Sequence, residues 1–162
     1  MIRPVSPGDA RGICGIYNYF VENTAVSFEE QPLPIPEMEN RIRQISAVYP
    51  WLVREEEGAV LGYAYVNQFR NRAAYRYTAE LSIYVKSGHE GKGIGGELFA
   101  RLLEAVRESS IHVLVSAITV PNERSVGIHE KFGFVKVAQF NEIGYKLGEW
   151  RDVGYWELVL KK

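Results

Sequence analysis

Hydrophobic positions along this 162-residue chain follow two periods, one near 3.6 residues and one of 2, and stretches of each alternate. Arg3 to Ser6 reads as a short strand. Asp9 is then placed to cap a helix running to about Phe20, with Ile13, Ile16, Tyr17 and Phe20 on one face. Val21 to Gln31 fits neither period, and Pro32, Pro34 and Pro36 exclude regular structure until a second helix near Glu37 to Ile45. Trp51 to Arg54 and Val60 to Phe69 alternate as strands around Glu56-Glu57-Gly58, and Thr78 to Val85 continues the alternation. These three segments predict an antiparallel meander.

The period then changes. Ile94, Leu98, Leu102 and Val106 stand at helical spacing and predict a helix of about fifteen residues. His112 to Val120 is a nearly continuous apolar run, as a strand buried on both faces requires. Strand, loop, helix and strand therefore compose one parallel βαβ crossover. Pro121-Asn122 opens a short helix to Lys131, Gly133 stops it, and Phe134 to Phe140 and Trp156 to Leu160 supply the last strands. No internal repeat or low-complexity tract interrupts this order. Residues 1–162 read as a single α/β domain, whose length suffices to bury about 70% of the unfolded surface.

Charge narrows the partners. Lys and Arg number 19 against 20 Asp and Glu, so no strong field gathers nucleic acid or anionic lipid. The start, MIRPVSPGDA, lacks an apolar targeting core and no window approaches the ~18 apolar residues of a membrane span. A cytoplasmic protein is expected. Cys14 is the only cysteine, which excludes an internal disulfide and a cysteine metal cluster, and its place among Ile13 and Ile16 predicts a core position.

The densest chemistry lies in His89-Glu90-Gly91-Lys92-Gly93-Ile94-Gly95-Gly96, between the third meander strand and the long helix. Four glycines let the backbone approach a ligand with its N–H groups turned inward, and the helix adds the positive end of its dipole. A phosphate or pyrophosphate fits. Gly91-Lys92-Gly93-Ile94-Gly95-Gly96 also satisfies the G-x-G-x-x-G dinucleotide pattern, although that fingerprint usually opens a fold and here follows about ninety residues. An ATP-binding P-loop fits worse, because Gly93 follows Lys92 where Ser or Thr is needed.

The loop resembles that of the GNAT superfamily of acetyl-CoA-dependent N-acetyltransferases, Gln/Arg-x-x-Gly-x-Gly/Ala after the fourth strand, with Glu90 where Gln or Arg is usual. The resemblance runs over nearly the whole chain. It is carried most specifically by the segments beginning at Asn23 (NTAVSF), Tyr75 (YRYTAE), Asn122 (NERSVGIHEKFGF) and Gly144 (GYKLGEWRDVG). These are most similar to phosphinothricin and methionine sulfoximine acetyltransferases.

The resemblance implies a GNAT fold: a mixed, mostly antiparallel sheet of about six to seven strands with a central parallel βαβ crossover and flanking helices. It implies acetyl transfer from acetyl-CoA to the α-amine of a small amino-acid-like acceptor in a ternary complex, without a metal, by a homodimer. Glu80 matches the carboxylate that takes a proton from the acceptor amine, which has no lone pair as ammonium. Alternation puts Glu80 on one face with Ser82 and Tyr84, with Leu81, Ile83 and Val85 on the other. Ile83, Tyr84 and Val85 match the backbone that pairs with pantetheine, and an amide near Val85 would polarise the thioester carbonyl. Gly91 to Gly96, with Lys92 and Ile94, match the pyrophosphate loop. Asn122 matches a CoA contact and equally suits a helix cap. His129 stands where many relatives carry a tyrosine that protonates the departing thiolate, or else packs in its helix. Arg70, Asn71 and Arg72 match the substrate loop, where guanidinium can grip a carboxylate. Phe28, with Tyr75 and Trp150, is a candidate wall of the acceptor pocket. Two rivals stay open: an acyl-CoA sensor needing neither Glu80 nor the arginines, and an oxidoreductase needing more βαβ units than the 66 residues after Gly96 hold.

Overall fold

A computed structural model describes residues 1–160, so the last two residues of the expected domain, Lys161 and Lys162, lie outside the described residues. The first strand, β1 (Ile2–Pro4), leads through a 3-10 turn (Pro7–Asp9) into α1 (Ala10–Asn23). A long strap follows, and then α2 (Ile35–Ser46), β2 (Trp51–Glu56), β3 (Ala59–Gln68) and β4 (Thr78–Val85). The second half is α3 (Ile94–Arg107), β5 (Val113–Val120), α4 (Glu123–Lys131), β6 (Val135–Lys146) and β7 (Glu149–Val159). The helix α1 outruns its predicted end, and Thr24 stops it by returning both its N–H and its hydroxyl to the Phe20 carbonyl. Pro36 sits in the first turn of α2, where no amide hydrogen is needed, so this helix starts earlier than the prolines suggested.

Seven strands form one sheet in the order β1-β2-β3-β4-β5-β7-β6. Every neighbouring pair is antiparallel except β4 and β5. The expected mixed sheet with a central crossover is thus the observed one. The last two strands are much longer than predicted, because β6 and β7 form a hairpin around Leu147-Gly148, both at positive φ.

Two cores sandwich the sheet. On one face α3 inserts Leu98, Phe99, Leu102, Leu103 and Val106, all essentially inaccessible, against Leu81, Leu114 and Trp156. At roughly 1.5–3 kcal/mol per fully buried side chain, this helix owes its stability to packing more than to propensity. On the other face α1 and α2 cover a stacked aromatic ladder of Trp51, Tyr63, Tyr65 and Tyr84. Tyr84 meets Tyr17 edge-on, while Ile83 and Val85 pack toward α3, so β4 alternates as its sequence predicts.

Candidate active site

The two central strands pair only between Thr78–Glu80 and Val113–Val115. Beyond that they part, which leaves the β5-facing edge of Leu81 to Val85 open to a further hydrogen-bonding partner. Two cavities flank this splay. The first, about 420 Å³, is walled by Ile83, Tyr84 and Val85, by Gly91 and Gly93 to Gly96, and by Asn122, Arg124 and Ile128 across the gap. The second, about 660 Å³, lies under the strap and is walled by Tyr17, Ser27, Phe28, Glu29, Glu80 and Ser82, by Ser116 to Thr119, and by His129 and Tyr155. Val26, Ile83, Tyr84, Asn122 and Ser125 line both, so the cavities adjoin at the open strand edge.

The glycine loop fits a phosphate in backbone and in space. Gly88, Gly91 and Gly93 all hold positive φ, and a Cβ added at Gly91, Gly93 or Gly96 would meet no protein atom within 4 Å. Gly93 is the N-cap of α3, so the helix amides face the cavity. Glu90, the departure from the family pattern, turns its carboxylate back onto the Gly88 N–H at 2.8 Å. The exposed Lys92 is not part of the cavity wall, whereas Arg124 at the start of α4 is a cation the sequence reading missed. Asn122 caps α4 by accepting from the Ser125 N–H at 3.2 Å, and it also lines both cavities.

In the second cavity, burial raises the Glu80 pKa above its ordinary value, and the Arg70 charge opposes the shift. A carboxyl group so placed takes a proton more readily than an exposed one. The Glu29 carboxylate is held below its usual range by a bidentate pair with Arg41, with Tyr17 donating a further hydrogen bond. Lys146, buried and with its pKa lowered by desolvation, donates to the Ser27 carbonyl. The Phe28 ring packs against Gly144, where an added Cβ would come within 2.4 Å of it. The strap is thus pinned to α1, α2 and β6 by residues that no local pattern reveals.

His129 is 3% exposed, between Phe99 and Phe134. Its Nδ1 lies 2.7 Å from the Ser125 carbonyl and its Nε2 lies 2.9 Å from Ser116 Oγ. Burial lowers its pKa, which favours the neutral ring. Any proton it delivers to sulfur must first be collected.

The structure does not bring every candidate together. Arg70, Asn71 and Arg72 lie on an exposed loop and line neither cavity, and Arg70 stacks over Phe69. Among the described residues, no Lys or Arg lines the larger cavity. Tyr75 leans on Phe69 and Trp150 on Tyr145, both outside the two cavities. Among the described residues, no cluster of three or more His, Cys, Asp or Glu could hold a metal ion.

Comparison with known proteins agrees with this geometry. Residues 2–154 match the acetyltransferase (GNAT) domain family. A phosphinothricin N-acetyltransferase of Streptomyces viridochromogenes is 35% identical over 96% of this chain and 85% of its own. A methionine sulfoximine/methionine sulfone acetyltransferase of Salmonella typhimurium is 37% identical over 98% of this chain and 94% of its own. The crystal structure of a phosphinothricin acetyltransferase from Sinorhizobium meliloti in complex with acetyl-CoA superposes with a TM-score of 0.95 at 34% identity, covering 99% of this chain and 88% of that one. These findings remove the dinucleotide oxidoreductase and the non-catalytic sensor as readings of the glycine loop. The chain belongs to the GNAT family, and it is an acetyl-CoA-dependent N-acetyltransferase.

Proposed function

We propose that this enzyme acetylates the α-amine of a small amino-acid-like acceptor, of the phosphinothricin, methionine sulfoximine or methionine sulfone kind, by direct attack in a ternary complex. The observation that carries this reading is the meeting of the two cavities at the open edge of β4. Acetyl-CoA in the glycine-loop cavity would lay pantetheine along Ile83 to Val85 and present its thioester where Glu80 faces the acceptor space. Gly91 to Gly96 would hold the pyrophosphate, aided by Arg124 and by Asn122. When bound, acetyl-CoA supplies the activated acetyl group. Glu80 removes the ammonium proton, the strand amide near Val85 stabilises charge on the carbonyl oxygen, and Phe28 closes the acceptor space. Proximity in one enclosed opening supplies much of the rate.

The acceptor carboxylate needs a cation, and the larger cavity has none among the described residues that line it. Arg70 and Arg72, with Asn71, are assigned to it through movement of their loop. The exposed apolar residues of β6 and β7, including Val135, Val137, Phe140 and Trp150, support the expected homodimer. No described helix is long and apolar enough to cross a membrane. A panel of amino acids and of the matching amines without a carboxylate, scored by CoA release, tests the reading. The amino acids should turn over faster, and Arg72→Ala or Arg70→Ala should erase the preference. Equal rates for both classes in the unmodified enzyme refute the acceptor class.

A further inference from the structure

The net reaction removes two protons from the acceptor nitrogen. One leaves before attack, and the other leaves after the N–C bond has formed, while the C–S bond breaks with its electron pair on sulfur. Glu80 suffices for the first. The second is released as the departing thiolate needs a proton, so a group that accepts it and gives it back serves both atoms.

Ser116 and His129 have the geometry of such a group. Ser116 is the first β5 residue beyond the last parallel pair, and Leu81 is its counterpart on β4. The Ser116 Oγ lies 2.9 Å from His129 Nε2 and 3.4 Å from the Leu81 carbonyl, and both residues line the acceptor cavity. A carbonyl only accepts, so the Nδ1 beside Ser125 carries hydrogen. In the neutral ring Nε2 is then a lone pair, and the Ser116 hydroxyl donates to it. In the imidazolium, Nε2–H donates to Ser116 Oγ, and the hydroxyl hydrogen is free to turn to the Leu81 carbonyl or into the cavity. Each protonation state has a complete set of partners without movement of a heavy atom.

We infer that Ser116 is a catalytic residue, passing the second proton from the acceptor nitrogen to His129 and returning it to the sulfur. In the first step the nitrogen's proton goes to Ser116 Oγ as the hydroxyl hydrogen goes to Nε2. In the second, Nε2–H returns to Oγ as the hydroxyl hydrogen goes to the thiolate, which leaves neutral CoA thiol, the amide and the original Ser116–His129 pair. The inference rests on the proposed meeting of amine and thioester in this cavity. The resting neutral ring suits it, because an imidazolium could not accept. The other ionisable groups facing the cavity are Glu80 and Tyr84 on β4, Glu29 on the strap, Tyr17 on α1 and Tyr155 on β7. On α4 itself, Glu130 turns to the Trp156 indole.

The test combines Ser116→Ala, His129→Phe and their double variant with an NMR titration of the His129 ring. Ser116→Ala should lower kcat about tenfold with the KM of acetyl-CoA and of the acceptor little changed, as loss of assisted proton transfer requires. The double variant should be no slower than His129→Phe, because the two side chains act as one unit. The hydrogen bond from a charged ring is worth more than that to a neutral one, so Ser116→Ala should also move the His129 titration to lower pH. Retained kcat in Ser116→Ala, losses that multiply in the double variant, or an unmoved titration each overturn the inference. If Glu80→Gln loses turnover while Ser116→Ala keeps it, the carrier is refuted and acetyl transfer through Glu80 stands. If Glu80→Gln also keeps it, the placement of the chemistry itself is wrong.

Discussion

Gly93→Ala separates the two demands on the glycine loop, backbone conformation and phosphate binding. Gly93 sits at φ +83°, and its added Cβ meets no protein atom within 4 Å, so the cost to folding is backbone strain alone. Forcing a side chain into the left-handed region costs ~1–2 kcal/mol. For a chain of this size a kcal/mol moves Tm by roughly 2–4 °C, which predicts a fall of about 2–8 °C. Relief of that strain rotates the peptides at the head of α3. Each backbone N–H on a phosphate contributes ~1.5–3 kcal/mol, so losing one weakens CoA about 10- to 150-fold. Gly58→Ala is the matched control. Gly58 holds φ +81°, again with nothing within 4 Å, in the β2–β3 hairpin and outside both cavities. Scanning calorimetry should give similar Tm losses for the two variants, and titration calorimetry should show weakened CoA only for Gly93→Ala. Unchanged CoA affinity in folded Gly93→Ala refutes the phosphate assignment, and equal weakening in Gly58→Ala refutes its locality.

Glu80→Gln should lower kcat by about 10²- to 10⁴-fold with CoA binding retained, and the acid limb of kcat/KM in the unmodified enzyme should lie above the ordinary carboxylate range, because burial raises this group. A pH–rate profile with no limb there removes Glu80 as the base. Lys146→Met takes the donor from the Ser27 carbonyl and should raise the acceptor KM about tenfold with that of acetyl-CoA unchanged, while stability moves by less than about 1 kcal/mol because a desolvated charge is removed with its bond. A matching rise in both KM values would show that the strap does not act on the acceptor alone. Asp9, nearly buried, is held below its usual range by Arg3. Its pKa is depressed in the folded state, so the stabilisation is complete above the ordinary carboxylate range and is lost as pH falls from there through the lower folded value. Acid unfolding of Asp9→Asn should accordingly show a shallower dependence on pH than the unmodified protein.

Which parts of this molecule could be read from the chain follows from the range of the forces that shape them. Helix α3 and the alternation of β4 are local periodicities, and the sequence states both. The expected break in the last strands came from a local disturbance: the β6–β7 register shifts between Phe140 and Gly144, with Glu142 at positive φ and its N–H taken by Asp152, which hides the period of 2. The strap has no period at all. Its anchors are side-chain bonds such as Lys146 to Ser27, 119 residues apart, and only the folded β6 brings them together.

The cavity itself is a long-range property, because it exists where β4 and β5 stop pairing, and periodicity marks the faces of a strand without marking where its neighbour leaves. Glu80 was legible as a polar residue on an alternating strand, and the glycine loop was legible as composition. Ser116 left one trace, a serine in the middle of the apolar run VLVSAITV. A serine buried in a strand ordinarily satisfies itself on a nearby carbonyl, and Leu81 offers one at 3.4 Å. What sets this serine apart is the shorter contact, 2.9 Å, to a histidine from a third element, α4, next to the point where β4 and β5 stop pairing. The divergence of β4 from β5 thus lies beside the Ser116–His129 pair, so the proposed pantetheine edge and the proposed proton path share one region of the sheet.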